Sequence, residues 1–587
     1  MSDLAGRSRH AILALGLLQA LLLVVAHTLL GLDVWRAPRD LVWLVPWFTV
    51  AIGVPAALQL LVTDVRDRRV WLFGLGLLAV LGLTGAYAGY AVEPSLDVHL
   101  FPLLTPYVLT TLIGWYVLLP FVQAWFKTGR LQPDYTDLFE FAWNNIITLL
   151  IAGIFTGIFW ALLALWAALF NQIGIGLFSL IFYNGYFGYS VTAAVFAFAL
   201  ALGRTHAGAI VTVRRVVLAV FKGLLPLLAV IVLLFLAALP LMGLEPLWAT
   251  RAATGLMLTL QILLIIFLNA VFQNGQGEPP YTDWLRVLVQ AAVALLPIYT
   301  ALCFHALYLR IEQHGWSTDR FWAVLLTIVV GLHVVGYAVA AVRRSNVWMA
   351  GMASVNVTIA AIVVALSVAV SSPLLDAHRI GTASQVGRLL AGRIEAIDFD
   401  YAYLRFDLGR RGNVALARLK DLDDHPQAAA IRKAAELTLA RTNRYEAQPD
   451  IIRTAAQAAA HFSVYPRGVR LDDSFLAYAV KSGAPWQLKR CLELGQRCAV
   501  LTVDLNRDNQ IDYVVFRVVS RWDRFAAVLT RVGNDWQFAG SLEMGGRDEP
   551  PDLEALEAQL QKGDYVVADN PWHDLRIGDR TRRFRPY

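Results

Sequence analysis

Between two apolar, β-branched stretches near the carboxyl end stand Asp504, Leu505, Asn506, Arg507, Asp508, Asn509, Gln510, Ile511 and Asp512. Oxygen-bearing side chains fall at positions 1, 3, 5 and 9 of this run. On a tightly curled backbone, alternate side chains turn inward. Calcium takes about six to eight hard oxygen ligands, which Asp504, Asn506, Asp508, Asp512 and the Gln510 carbonyl would begin to supply. Asn509 occupies the sixth position in place of glycine, and Asn tolerates the left-handed backbone needed there. Val515 stands where a helical calcium loop has its bidentate Glu. The competing reading is a hairpin turn closed by side chain to backbone bonds, a habit of Asp and Asn.

Cys491 and Cys498 are spaced to form a disulfide in an oxidising compartment, Cys303 falls in an apolar run, and no zinc pattern arises. In the apolar part no Asp, Glu, Lys or Arg falls near the centre of a candidate span, the usual mark of an ion-coupled carrier. His333, His305, Asn269 and Asn356, with Gln261 and Gln290, remain. They are either the lining of a polar intramembrane site or plain interhelical hydrogen bonds. Asp33 and Asp40 stand at the two ends of an eight-residue loop, and carboxylates flanking so short a turn read as helix caps at the headgroup level, with the acids of a membrane transferase as the alternative. No HExxH, GxSxG, paired CxxC or phosphate-cradling loop is present, so no catalytic residue and no organic cofactor is assigned.

These groups need elements to hold them, and composition says which. Of 587 residues 57% are hydrophobic and 16% charged, against about 25% charged in soluble domains. Residues 1–375 hold 19 Lys+Arg and 15 Asp+Glu, while 376–587 hold 31 and 29. The expected architecture is an α-helical polytopic membrane bundle over 1–375, followed over 376–587 by a soluble α+β domain with a small antiparallel sheet. About eleven apolar runs can each cross about 30 Å of hydrocarbon: 11–32, 41–62, 70–92, 101–126, 146–170, 185–203, 217–243, 253–273, 287–307, 321–342 and 348–370. The first reads as a retained helix and not a cleaved signal. Ile173–Tyr183 is apolar but too short to span. Pro226, Pro240 and Pro297 fall inside spans, and the pairs Gly85/Gly89 and Gly153/Gly157 predict close helix packing.

With the amino end inside, thirteen Lys and Arg of the short loops fall inside and five (Arg36, Arg39, Arg251, Arg310, Arg320) outside. That bias orients the chain with its amino end cytoplasmic and, after eleven crossings, its carboxyl-terminal domain outside, in the periplasm of a Gram-negative cell. Net charge is +6, divided +4 and +2 between the two parts, so nucleic acid is not implied as a partner.

Beyond the spans, 381–392 predicts an amphipathic helix and Ile394–Phe406 a strand. Helices are expected near 414–441 and 450–461, then an antiparallel meander over Cys498–Val503, Tyr513–Val519, Phe525–Arg531 and Trp536–Leu542. Arg576–Tyr587 reads as a loose basic tail suited to anionic lipid.

Three stretches carry a resemblance: Tyr135-Thr-Asp-Leu-Phe-Glu-Phe-Ala-Trp143-Asn144-Asn145, Leu307-Tyr-Leu-Arg310-Ile-Glu312-Gln313-His314-Gly315-Trp316, and Asp400-Tyr-Ala-Tyr403-Leu-Arg405-Phe-Asp407-Leu-Gly409. They look like a bacterial family of polytopic membrane proteins catalogued as domain of unknown function 4153. The resemblance implies a bacterial inner-membrane protein and supplies no catalytic residues. The spacing over Asp504–Asp512 separately resembles the calcium loops of dockerins and integrin-type β-hairpin repeats. The expected function is that of a non-enzymatic envelope protein embedded in the lipid bilayer, whose outward domain binds calcium, an envelope protein or a peptide. A transporter or flippase for a lipid-like or uncharged solute, and a membrane-embedded transferase, are the alternatives.

Overall fold

A computed structural model describes residues 6–36, 39–92, 100–243, 253–275, 280–343, 347–444, 454–481, 488, 491–492, 498–517, 525–533, 535–543, 553–567, 575–577 and 580–582. Arg251 and Arg344 of the charge count lie outside them.

Eleven helices among these residues are long and apolar enough to cross a bilayer. In chain order they are Gly6–Gly31 (α1), Leu41–Leu61 (α2), Arg68–Val92 (α3), Leu100–Thr128 (α4), Tyr135–Gln172 (α5), Gly185–Thr205 (α7), Ala207–Met242 (α8), Ala253–Phe272 (α9), Asp283–His314 (α10), Thr318–Val342 (α11) and Met352–Val370 (α12). The short helix Leu177–Phe182 (α6) occupies the non-spanning apolar piece, its Phe178 and Phe182 against Trp166. Apolar side chains surround most of these helices, as expected where lipid is the solvent, and large residues such as Leu72, Leu83 and Ile154 face outward. Two interior clusters hold the bundle. One joins Ile12, Leu58, Leu77, Leu119, Ala152 and Leu200 from the first half, the other Leu225, Leu264, Leu296, Tyr299 and Val334 from the second.

The two glycine pairs differ. A Cβ on Gly85 would stand 2.7 Å from Pro46 Cα, and one on Gly89 would collide with the Leu41 carbonyl, so this pair lets α3 lie directly on the α2 backbone. A Cβ on Gly153 or Gly157 would meet nothing within 4 Å. Among the described residues the second pair therefore has no close neighbour.

After the last span come Ala377–Leu390 (α13), Tyr401–Asp407 (α14), Gly409–Lys420 (α15) and Ala428–Ala440 (α16). The strand expected over 394–406 is instead a turn followed by α14. The Asp400 carboxylate accepts from Tyr403 N at 2.9 Å and starts a helix where the aromatic alternation suggested extension. These four helices enclose a small core of Leu389, Leu404, Leu408, Leu416 and Ile431. They also dock on span ends. Ser384 Oγ accepts from Trp316 N at 2.9 Å, Gln385 donates to Trp316 O at 2.7 Å, and Tyr403 Oη accepts from Thr318 N at 2.9 Å. Gly409, at φ +51°, abuts the Ala91 carbonyl, and Arg410 donates to Tyr90 O at 2.9 Å. Consequently the chain divides into compact units at Met1–Leu439 and Ala440–Tyr587, and not where charge density changes at 375/376.

The second unit holds Ala455–His461 (α17), Phe462–Tyr465 (β1), Asp473–Ala479 (α18), Cys498–Val503 (β2), Asp512–Arg517 (β3), Phe525–Val532 (β4), Asp535–Glu543 (β5) and Leu553–Lys562 (α19). The sheet order is β1-β2-β3-β4-β5. The meander β2 to β5 is antiparallel as expected, but β1 joins β2 in parallel, so the sheet is mixed. Period-two alternation sorts its side chains between two layers. Val500, Tyr513, Val515 and Leu529 pack with Phe475 of α18 on one face. Leu501, Val514, Phe516 and Val528 pack with Leu560 of α19 on the other. Within the basic terminus, Leu575–Ile577 (β6) and Arg580–Arg582 (β7) form a two-stranded ribbon in place of a loose tail.

Candidate functional site

The intramembrane amides are where the sequence put them but bond to one another. Asn269 of α9 donates to Tyr337 Oη of α11 at 2.6 Å, and the Tyr337 hydroxyl donates to Asn356 Oδ1 of α12. Asn356 Nδ2 donates to Asn269 Oδ1 at 2.6 Å and to Tyr135 Oη of α5 at 2.8 Å. Four helices are thus tied by a closed ring of two amides and two phenols. His333, one turn before Tyr337, turns its Nδ1 to its own helix at Val329 O, 2.9 Å away, and its ring stands edge-on to Tyr337. His305 is exposed on α10 and does not join them. Tyr135 opens the first of the three family-like stretches, and its phenol could have been read as a partner for these amides. Tyr337 carried no such signal. Gln261, fully buried, accepts from Thr300 at 2.6 Å.

The same first stretch supplies a second polar knot. Asn145 and Gln123 exchange amide bonds of 2.8 and 3.1 Å, and Arg214 donates to Asn144 at 3.2 Å. Arg204 closes the carboxyl end of α2, donating to Gln59 O at 2.6 Å and Val62 O at 3.0 Å, the placement a helix dipole favours for a cation. The charged cluster of the second stretch works through its backbone. Arg388 donates to Gln313 O and Arg320 to Gly315 O, both at 2.7 Å, satisfying carbonyls at the end of α10. Asp33 and Asp40 are occupied within their own turn. Arg36 pairs with Asp33 at 3.2 Å, and its N–H donates to Asp40 at 2.9 Å.

Sequence reasoning missed a further constellation where α12 gives way to α13. Asp376, 3% exposed, caps α13 through Arg379 N at 3.0 Å, and it accepts from Tyr87 Oη at 2.8 Å and Arg411 Nε at 3.0 Å. His378 Nδ1 lies 3.9 Å from it. Burial opposes the charge of this carboxylate. The Tyr87 hydroxyl, the Arg379 N–H, His378 and Arg411 together outweigh that cost and hold its pKa below the ordinary carboxylate value. Burial lowers the pKa of His378, against the pull of Asp376. Asp376 is the first acid of the charge-rich part, but nothing in the sequence pairs it with a tyrosine 289 positions earlier.

In the second unit the Asp504–Asp512 run joins β2 to β3. Asp504 accepts from Asp508 N at 3.2 Å and Asn509 N at 2.9 Å, Asn506 accepts from Asp508 N at 3.0 Å, and Asp508 accepts from Gln510 N at 2.8 Å. Arg507 and Asn509 take φ of +62° and +64°, curling the loop as the sixth-position argument requires. Asp512, 2% exposed at its base, accepts from Leu505 N at 2.9 Å with one oxygen, while its Oδ1 has no partner. Among the described residues no three His, Cys, Asp or Glu side chains converge as a ready metal cage. Cys491 and Cys498, both buried, form a disulfide with Cα atoms 5.7 Å apart.

The family described as domain of unknown function (DUF4153) matches residues 47–419, well over half of the chain. No curated protein and no solved structure matches it.

Proposed function

The chain belongs to the DUF4153 family, and from that premise, which supplies no chemistry, together with the eleven apolar helices among the described residues, we propose a bacterial inner-membrane protein with a calcium-binding unit outside. It is a non-enzymatic envelope protein, and calcium seats in the hairpin of Asp504, Asn506, Asp508, Gln510 and Asp512. One observation carries the reading: the buried Asp512 Oδ1 has no partner beneath a loop already curled by two left-handed residues. A desolvated carboxylate oxygen left bare is costly, and a cation above it removes that cost. Carboxylate oxygens that each accept one N–H keep lone pairs for an ion, so the present bonds do not compete with coordination. The outward side is supported by the Lys/Arg bias and by a disulfide, which persists in oxidising compartments.

Calcium titration of the full chain in nanodiscs, followed by calorimetry, tests the site. The expected result is one ion per chain with Kd about 10⁻⁴ to 10⁻³ M, the range of extracellular modules. Binding should weaken at least about tenfold in Asp512→Asn and Asp504→Ala. Absence of heat at several millimolar calcium refutes it. Orientation is read separately: protease should remove the carboxyl-terminal unit on intact spheroplasts and spare it in inverted vesicles.

A further inference from the structure

The hairpin loop of the second unit is by itself short of donors. Asp504, Asn506, Asp508, Asp512 and the Gln510 carbonyl give five oxygens if each binds once, whereas calcium takes about six to eight. Where a helical calcium loop has its last carboxylate this chain has Val515, which is 2% exposed and packed with Val500, Tyr513 and Leu529. The segment after the loop therefore cannot close the site.

The neighbouring strand can. β3 and β4 run antiparallel with Tyr513 opposite Leu529, Val514 opposite Val528 and Val515 opposite Ala527. Carried one residue further, the same register sets Asp512 opposite Thr530. Alternation places both on the face that holds Val514, Val528 and Leu560 of α19. Val503, opposite Asp512 on β2, packs in that same layer. Directly opposed residues have Cβ atoms about 4.5–5.5 Å apart.

Two buried side-chain oxygens at this place have no hydrogen-bond partner, Asp512 Oδ1 and Thr530 Oγ1. A hydroxyl that can reach a carboxylate donates to it in a short, charge-assisted bond. Thr530 does not, so the two oxygens are held further apart than a hydrogen bond spans. Two ligands of one calcium ion, each about 2.3–2.6 Å from it, can stand as much as about 5 Å from each other. Each oxygen left bare is costly, and one ion between them removes both costs.

We propose that Thr530 Oγ1 is a sixth ligand of the calcium site, so that the ion is held by the β2–β3 loop and by β4 together. This rests on the calcium reading of the loop and adds to it a ligand from outside the loop. The hydroxyl coordinates through a lone pair and brings no charge. The bound ion then ties three consecutive strands at one end of the sheet.

The test uses the full chain in phosphatidylcholine nanodiscs, with calcium followed by calorimetry and europium(III) as a luminescent substitute. Europium decay in H2O and in D2O counts the waters on the bound ion, read from the part of the signal that calcium displaces. Thr530→Val keeps the shape and removes the oxygen, and is expected to admit one water more than the wild type. The same variant should weaken calcium about tenfold, while Thr530→Ser, which keeps an oxygen, should retain most of the affinity. Without calcium, Thr530→Val should melt at the wild-type temperature or slightly above it, because the hydroxyl has no bond to lose. Calcium should also slow amide exchange over Phe525–Val532 in the wild type. Wild-type binding that Thr530→Val leaves unchanged in affinity and water count overturns the proposal and spares the loop reading. A weakened variant with an unchanged water count and a lower calcium-free melting temperature overturns it too, since the hydroxyl would then act on the fold and not on the ion. Absence of binding by the wild type removes the loop reading itself, and the sixth ligand with it.

Discussion

The two ends of α11 and α12 solve the same problem in opposite ways. From Trp322 to Tyr337 is about 22 Å of helix, so the two polar groups stand near opposite faces of the hydrocarbon. At one end Tyr135, Asn269, Tyr337 and Asn356 bond to one another, and both amide NH2 groups are committed to partners. At the other, Asp376 is saturated but Ser371 is not, and space stands beside them. A polar group in a membrane is therefore not by itself a sign of function. The group left unpaired next to a cavity is the informative one, and the closed ring reads as glue between helices.

That contrast can be broken directly. Asn356→Leu removes three of the ring's bonds at once, takes the acceptor from the Tyr337 hydroxyl and leaves the Asn269 carbonyl only the Tyr135 hydroxyl, 3.5 Å away. A loss of about 3 kcal/mol in detergent-driven unfolding is expected, from about 1 kcal/mol per membrane hydrogen bond with the added cost of groups left bare. Adding Tyr337→Phe should cost little more, since the two share one network. Ser371→Ala, by contrast, should be neutral or stabilise by up to about 1 kcal/mol, because it removes a hydroxyl that had no partner to lose. If Asn356→Leu costs under about 0.5 kcal/mol, water or lipid must already reach the ring, and a solute path through it becomes the better reading.

The sequence shows the bundle almost completely, because a span is written in about 20 consecutive apolar residues and needs no partner to be recognised. The meander is legible for a similar reason, alternation being local. What stays hidden depends on distant pairing. β1 is a four-residue strand whose place is set by its parallel partner β2. The helices over 377–439 look like the start of a soluble domain by charge, yet Gly409 and Ser384 seat them on span ends through single atoms. Among the site residues, Asn269 and Asn356 were visible as polar exceptions in apolar runs. Tyr87 and Tyr337 were not, since tyrosine is ordinary near a membrane interface. His333 and His305 drew attention as ionisable groups, but one bonds its own backbone and the other faces outward.

Glycine substitutions sharpen the comparison from the packing side. Gly89→Ala places a methyl group against the Leu41 carbonyl, so α3 must lift from α2 and carry Tyr87 away from Asp376. Overpacking of this kind costs about 1–3 kcal/mol. Gly153→Ala, in open space on α5, should raise stability slightly, by under about 1 kcal/mol, from helix propensity alone. Equal effects at the two sites, measured by the same unfolding titration, would mean that α5 has a close neighbour in the membrane, such as a second copy of the chain.

The smallest expected effect decides which cation Asp376 has chosen. Arg411 bonds it at 3.0 Å and His378 stands at 3.9 Å, and burial holds His378 below the ordinary histidine pKa. With the folded-state value lowered, the unfolded chain takes up the proton first, so stability is full above about pH 6.5 and falls as pH drops below it. Asp376, itself lowered, contributes no change there, because its share is lost only as pH falls below about 4. Between pH 7 and pH 5 the melting temperature of the wild type should therefore fall further than that of His378→Gln, by a margin smaller than the Gly89→Ala effect. Should the variant fall further instead, the folded state must bind the His378 proton more tightly than the unfolded chain does. The histidine, and not Arg411, would then be the counter-ion of the buried carboxylate.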